Sequence, residues 1–166
     1  KGASISTAGF GSVNVTGYGG NDDGASKNDG IRLTYGGGIA AANGPVFISA
    51  VGEYGAGLRL GVSDEGAGTV SAAGAGNAVN ITGIGTSGEG GIKINYGGSS
   101  IVSGGGSVFL ATDLISTVAG SSITANSANG KVFLNPVSGS RNVWLGDLSV
   151  PDTGGLNLSN ADLARI

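Results

Sequence analysis

The sequence predicts an all-β chain: a right-handed parallel β-helix (solenoid) of about five coils with three strands each, and a short helical turn at its C-terminal end. Apolar residues fall at every second position in short runs, the mark of strands whose side chains point to opposite faces. Clusters of Gly, Ser, Asn or Asp bound nearly every run and supply the positive-φ positions that sharp turns need. The runs recur in a fixed order, which is how a stacked repeat announces itself. No stretch sustains the roughly 3.6-residue apolar spacing of an amphipathic helix, so a substantial helix is not expected.

Each unit opens with a short strand, led by Ile5, Ile39, Val70, Ile101 and Ile123 at separations of 34, 31, 31 and 22 residues. A longer strand follows, led by Val13, Val46, Val79, Val108 and Val132. A third is led by Ile31, Leu58, Ile92 and Val143, and Leu114-Ile115 is the candidate for the fourth unit's missing copy. When the units are stacked, Val15, Ile48, Ile81, Leu110 and Leu134 align inside the second strand, and the outward position beside them reads Asn14, Phe47, Asn80, Phe109, Phe133. In the third strand the outward position reads Arg32, Arg59, Lys93, Trp144. Coils stacked about 4.8 Å apart produce such ladders, and the right-handed sense follows the parallel crossover rule. A β-sandwich shares the short strands and Gly-rich turns but needs hairpins. Asn43-Gly44, Asn129-Gly130 and Asp29-Gly30 precede strands without joining two matched ones.

Residues 1–150 are expected to form the repeat segment, and 151–166 an added strand and helical turn that continue into a longer parent chain. In that tail a strand is expected at Leu156–Leu158. Ser159 and Asp162 have the spacing of a capping box, and Leu163 and Ile166 would share one face of the turn. Lys1 in place of an initiator Met suggests a processed chain or an excised piece.

Composition narrows the function. Gly, Ser, Ala, Asn and Thr make up 98 of 166 residues, and the 36 Gly follow no G-X-Y period, which excludes collagen. A charged fraction of 11% with mean hydropathy of +0.21 is unlike a solvated disordered tail. Without Cys or His there are no disulfides, thiolate metal sites or Ser-His-Asp triads. A formal charge of −3 argues against nucleic acid as a partner. No run approaches the roughly 18 apolar residues of a membrane span. An enzyme is not expected.

Gly-rich fragments such as Gly17-Tyr18-Gly19-Gly20 lack the strand–loop–helix context of a phosphate loop. The acidic loop of residues 19–30 offers Asp22, Asp23 and Asp29 as weak calcium candidates, but its spacing matches neither an EF-hand loop nor the nonapeptide calcium repeat and a solvated loop is the better reading; no cofactor is expected. Glu53, Asp64, Glu65 and Glu89 are the carboxylates a glycan-cleaving β-helix would use, and they fall after different strands. Arg32, Arg59 and Lys93 form a cation ladder needing counter-charges from Asp29, Asp64 or Glu89; it reads as a solubilising face or as a contact for acidic glycans. Phe47, Phe109 and Phe133, with Trp144 on the next face, form an outward aromatic strip. Either the chain's own loops cover it, the favoured expectation, or a partner or glycan does. Asn14-Val15-Thr16, Asn80-Ile81-Thr82 and Asn157-Leu158-Ser159 fit the N-glycosylation pattern. The irregular column Thr16, Ser49, Thr82, Ala111, Asn135 does not make the Thr rows of an ice-binding surface.

Two features carry a resemblance. One is the run of Gly-bounded alternating units, as in Gly91-Ile92-Lys93-Ile94-Asn95-Tyr96-Gly97-Gly98. The other is the closing segment Gly154-Gly155-Leu156-Asn157-Leu158-Ser159-Asn160-Ala161-Asp162-Leu163-Ala164-Arg165-Ile166. The chain resembles the β-helical repeat region of large bacterial exoproteins of the filamentous haemagglutinin type, exported by two-partner secretion, in which similar Gly-x-Leu-x-Leu-Ser segments separate β-helical blocks. The resemblance implies a shaft segment of a secreted or cell-surface adhesin. Its partners would be host-cell or matrix glycans or proteins, or copies of itself, with a two-partner secretion transporter in the outer membrane. The other class of reading is a β-helical glycan-binding or glycan-cleaving module.

Overall fold

Strands form where the alternation runs, in chain order. The computed structural model describes residues 2–20, 28–85, 90–139, 142–146 and 156–166. A first coil holds β1 (Ser4–Thr7), β2 (Val13–Tyr18) and β3 (Ile31–Leu33); a second holds β4 (Gly37–Ala41), β5 (Val46–Gly52) and β6 (Leu58–Leu60). A third holds β7 (Gly68–Ala72), β8 (Val79–Gly85) and β9 (Ile92–Ile94). The fourth has β10 (Ser100–Ser103), β11 (Val108–Ala111) and the two-residue β12 (Ile115–Ser116). After β13 (Ser122–Ala125) and β14 (Val132–Asn135) come β15 (Val143–Leu145), β16 (Leu156–Leu158) and the helix α1 (Asn160–Leu163).

Each side of the solenoid is one parallel sheet. The first is ordered β1-β4-β7-β10-β13, the second β14-β11-β8-β5-β2 and the third β12-β9-β6-β3. The register is that of the sequence ladders: Val13 pairs with Val46, Val46 with Val79, Val79 with Val108 and Val108 with Val132. Five equivalent coils, however, are too many. Three coils carry three full strands, the fourth has a shortened third strand, and the fifth adds only β13 and β14 to these sheets.

Inward columns make the core. Val46, Val79 and Val108 on the second side, Leu58 and Ile92 on the third, and Val70 and Ile101 on the first are all fully buried. Each such side chain contributes about 1.5–3 kcal/mol of apolar transfer. Burial falls off at both ends of the stack, where Ile5 is exposed and Val132 and Leu134 are only half-buried. Corners are closed by hydroxyls that replace missing backbone partners. Ser103 Oγ donates to the Asn77 carbonyl at 2.7 Å and accepts the Gly106 N–H at 2.9 Å, and Ser121 Oγ donates to the Val118 carbonyl at 2.7 Å. Gly61, after β6, must be glycine: its φ is +71°, and a Cβ there would run into Tyr96 and the Ser99 hydroxyl.

The tail corrects one stacking expectation. Val143 does not continue the third column directly. Instead β16 lies against β12, with Leu156 and Leu158 fully buried in the same core, and β15 pairs in parallel on its far side, Val143 with Leu156. β15 is thus an edge strand, and Val143 and Leu145 are exposed. The expected capping box is present at α1. Ser159 Oγ accepts the Asp162 N–H at 3.1 Å, and Asp162 Oδ2 accepts the Ser159 N–H at 3.2 Å. Asp162 Oδ1 also accepts from the Thr117 hydroxyl (2.6 Å) and N–H (3.0 Å), and the Arg165 carbonyl accepts the Ile123 N–H at 2.8 Å. The tail therefore covers free backbone donors of the last coils. Ile166 packs on the core while Leu163 is exposed, so the two do not share a buried face.

Candidate functional site

The second sheet presents the aromatic column. Alternation turns every other residue of β2, β5, β8, β11 and β14 outward, and the register sets Asn14, Phe47, Asn80, Phe109 and Phe133 in one row across the strands. Phe109 and Phe133 occupy adjacent levels and stack face to face, ring centroids 4.7 Å apart and planes 3° from parallel. Among the described residues no loop closes over these three rings: Phe47, Phe109 and Phe133 keep 42%, 37% and 40% of their surface exposed. Next to this row runs a second one, Thr16, Ser49, Thr82, Ala111, Asn135. Between the two rows, over the first three coils, lies a shallow depression of about 250 Å³ bordered by Asn14, Thr16, Phe47, Ser49, Asn80 and Thr82.

The third sheet carries the cations, together with counter-charges of the kind such a ladder needs. Arg32, Arg59 and Lys93 are in register. Arg59, however, is buried, and its guanidinium grips Asp29 at two points, Nε to Oδ2 at 2.6 Å and Nη2 to Oδ1 at 2.8 Å. Asp29 Oδ1 also accepts the Ala56 N–H at 2.8 Å. Arg59 is therefore withdrawn from the surface where a partner would meet it. Arg32, 41% exposed at its side chain, pairs with Glu65 at 2.9 Å rather than with the expected Asp64 or Glu89, and Lys93 is half-buried. Trp144 lies on β15 opposite Asn157, one level outside β16, and not above Lys93, whose partner is Ser116.

The same ion pair weighs against a calcium role for Asp29. Its two oxygens already serve Arg59 and Ala56, and a hard cation there would have to compete with a guanidinium in contact. Asp22 and Asp23 lie outside the described residues. Among the described residues no group of three or more His, Cys, Asp or Glu is placed to hold a metal. Of the carboxylates considered for glycan cleavage, Glu53 follows β5 and Asp64 follows β6, at successive corners, and both are exposed. Glu65 is held by Arg32, and Glu89 lies outside the described residues. No helix among the described residues is long and apolar enough to cross a membrane.

No protein-family model, curated protein or solved structure matches this chain. Its chemistry is therefore read from the site alone. Sequence reasoning found the aromatic row but not the depression around Phe47, whose signal was available as the Asn-x-Thr of β2 and β8 on either side of Phe47. It named Asp29 as a counter-charge without identifying Arg59 as the residue it encloses.

Proposed function

We propose that this chain is a structural repeat segment, a stiff shaft, of a secreted or surface-exposed bacterial adhesin of the filamentous haemagglutinin type, and that its second sheet makes the contacts of attachment or fibre formation. One observation carries the reading: a regular solenoid leaves its aromatic row open while Arg59 and Arg32 are tied to Asp29 and Glu65. Aligned, exposed phenyl rings form the kind of patch that meets a partner. Partners of matching chemistry are host or matrix glycans and proteins, or further copies of the shaft. Export by a two-partner secretion transporter belongs to the same reading.

A second reading, a glycan-binding module, is favoured by the depression beside Phe47. Its glycan-cleaving form fits less well, because cleavage by the usual route needs an acid and a base or nucleophile on one substrate. Replacing Glu53, Asp64, Glu65 and Glu89 by Gln or Asn in the parent protein should leave attachment unchanged, whereas Phe109→Ser with Trp144→Ser should weaken it. Polysaccharide turnover by the purified segment, abolished by the carboxylate changes, would overturn the structural reading.

A further inference from the structure

We propose that the outer face of the second sheet binds a neutral polysaccharide chain laid along the solenoid axis, with Phe47 as its stacking platform. This rests on the reading that the segment is a contact element and names what it contacts.

The two outward rows contain no charged side chain across all five strands: they offer Phe rings, Asn amides and Thr or Ser hydroxyls. Such a face discriminates by charge. An anionic ligand finds no counter-charge on it, and on the neighbouring sheet Arg59 and Arg32 are already paired with Asp29 and Glu65. A peptide ligand of apolar character would find Phe47 flanked by the amides of Asn14 and Asn80, and beyond Asn80 only the stacked pair Phe109 and Phe133. A pyranose fits both halves of the chemistry. Its C–H face packs on the negative face of an aromatic ring, and its rim of hydroxyls both donates and accepts, as the amides of Asn14 and Asn80 and the hydroxyls of Thr16 and Thr82 do. These groups border the depression on either side of Phe47.

Spacing supports a chain rather than a single sugar. Phe47 and Phe109 stand two levels apart with Asn80 between them, a separation of about 10 Å. That is on the order of one disaccharide step of an extended β-linked glycan, in which alternate rings present the same face. One ring would stack on Phe47, the next would lie beside Asn80, and the third would reach Phe109 and the parallel ring of Phe133 on the next level.

The test is titration calorimetry of the purified segment with a panel of neutral hexasaccharides: cellohexaose, chitohexaose, mannohexaose and xylohexaose. A heparin hexasaccharide is the charged control. At least one neutral member should bind. Phe47→Ala should weaken it by about tenfold, Asn80→Ala and Thr82→Val should each weaken it severalfold, and Phe47→Trp should retain it. Thermal unfolding identifies any variant that has lost its fold, in which case the remaining substitutions carry the comparison. Binding by no neutral member, binding by heparin alone, or affinity indifferent to every one of these substitutions would overturn the proposal. If the hexasaccharides fail while attachment of the parent still depends on Phe109, the glycan is wrong and the contact reading stands. Attachment indifferent to Phe109 and Trp144 would instead remove the contact reading.

Discussion

Asp29→Asn keeps the size of the side chain and an acceptor for the Ala56 N–H, but withdraws the negative charge from Arg59. In the native chain that charge meets the guanidinium at 2.6 and 2.8 Å, with the Arg59 and Asp29 side chains only 6% and 2% exposed. Removing one member of a buried pair costs about 3–5 kcal/mol, because the other charge stays buried without that partner. Asn still accepts from Ala56 and from one guanidinium nitrogen, so a value of about 3 kcal/mol, at the low end, is expected. At about 2–4 °C per kcal/mol for a chain of this size, the melting temperature should drop by roughly 6–12 °C. The double change Asp29→Asn with Arg59→Met removes both charges, keeps an apolar stem in place and should restore at least half of the loss. Urea unfolding followed by circular dichroism reads both. A loss for Asp29→Asn under about 1 kcal/mol, the worth of an exposed pair, would refute the argument. So would a double variant no more stable than the single one.

Two further changes test the faces and the tail. Ile81 is 2% exposed, so Ile81→Asp puts an unpaired carboxylate in the core and should cost about 4 kcal/mol or more. Thr82→Asp, on the outward side, should cost under about 0.5 kcal/mol; equal losses in thermal unfolding would show the faces to be exchanged. Asp162→Ala removes the capping box and the two bonds from Thr117, which should cost about 1–2 kcal/mol. Hydrogen exchange should then quicken at the Thr117 amide while the Val79 amide in the middle coil stays protected.

Strands and inward columns were legible because period-2 alternation and in-register repetition both act locally. Once Val13 is known to start a strand, Val46, Val79, Val108 and Val132 follow by repetition. The capping box was legible for the same reason, since Ser159 and Asp162 are three residues apart. What depends on where a loop leans was not. The sequence shows that the excursion between β2 and β3 is long, but not that its closing residue Asp29 meets Arg59 of the third sheet. Nor does local pattern choose between Val143-Trp144-Leu145 and Leu156-Asn157-Leu158 for the level next to β12. Both alternate, and the choice rests on which pair of aliphatic side chains the core encloses, here Leu156 and Leu158.

Everything claimed for the second sheet depends on parallel coils in this register, and the absence of native cysteines makes that directly measurable. Ser49 pairs with Thr82, and Thr82 with Ala111, each at about 4.8 Å, within the range a disulfide spans. Cysteines introduced at Ser49 and Thr82, or at Thr82 and Ala111, should form intramolecular disulfides on mild oxidation, read by mass spectrometry of the digested chain. Cysteines at Ser49 and Ala111, two levels apart, or at Ser49 and Ile81, on opposite faces, should remain reduced. Crosslinking of either control pair, with both in-register pairs failing, would contradict the solenoid register and the contact face built on it.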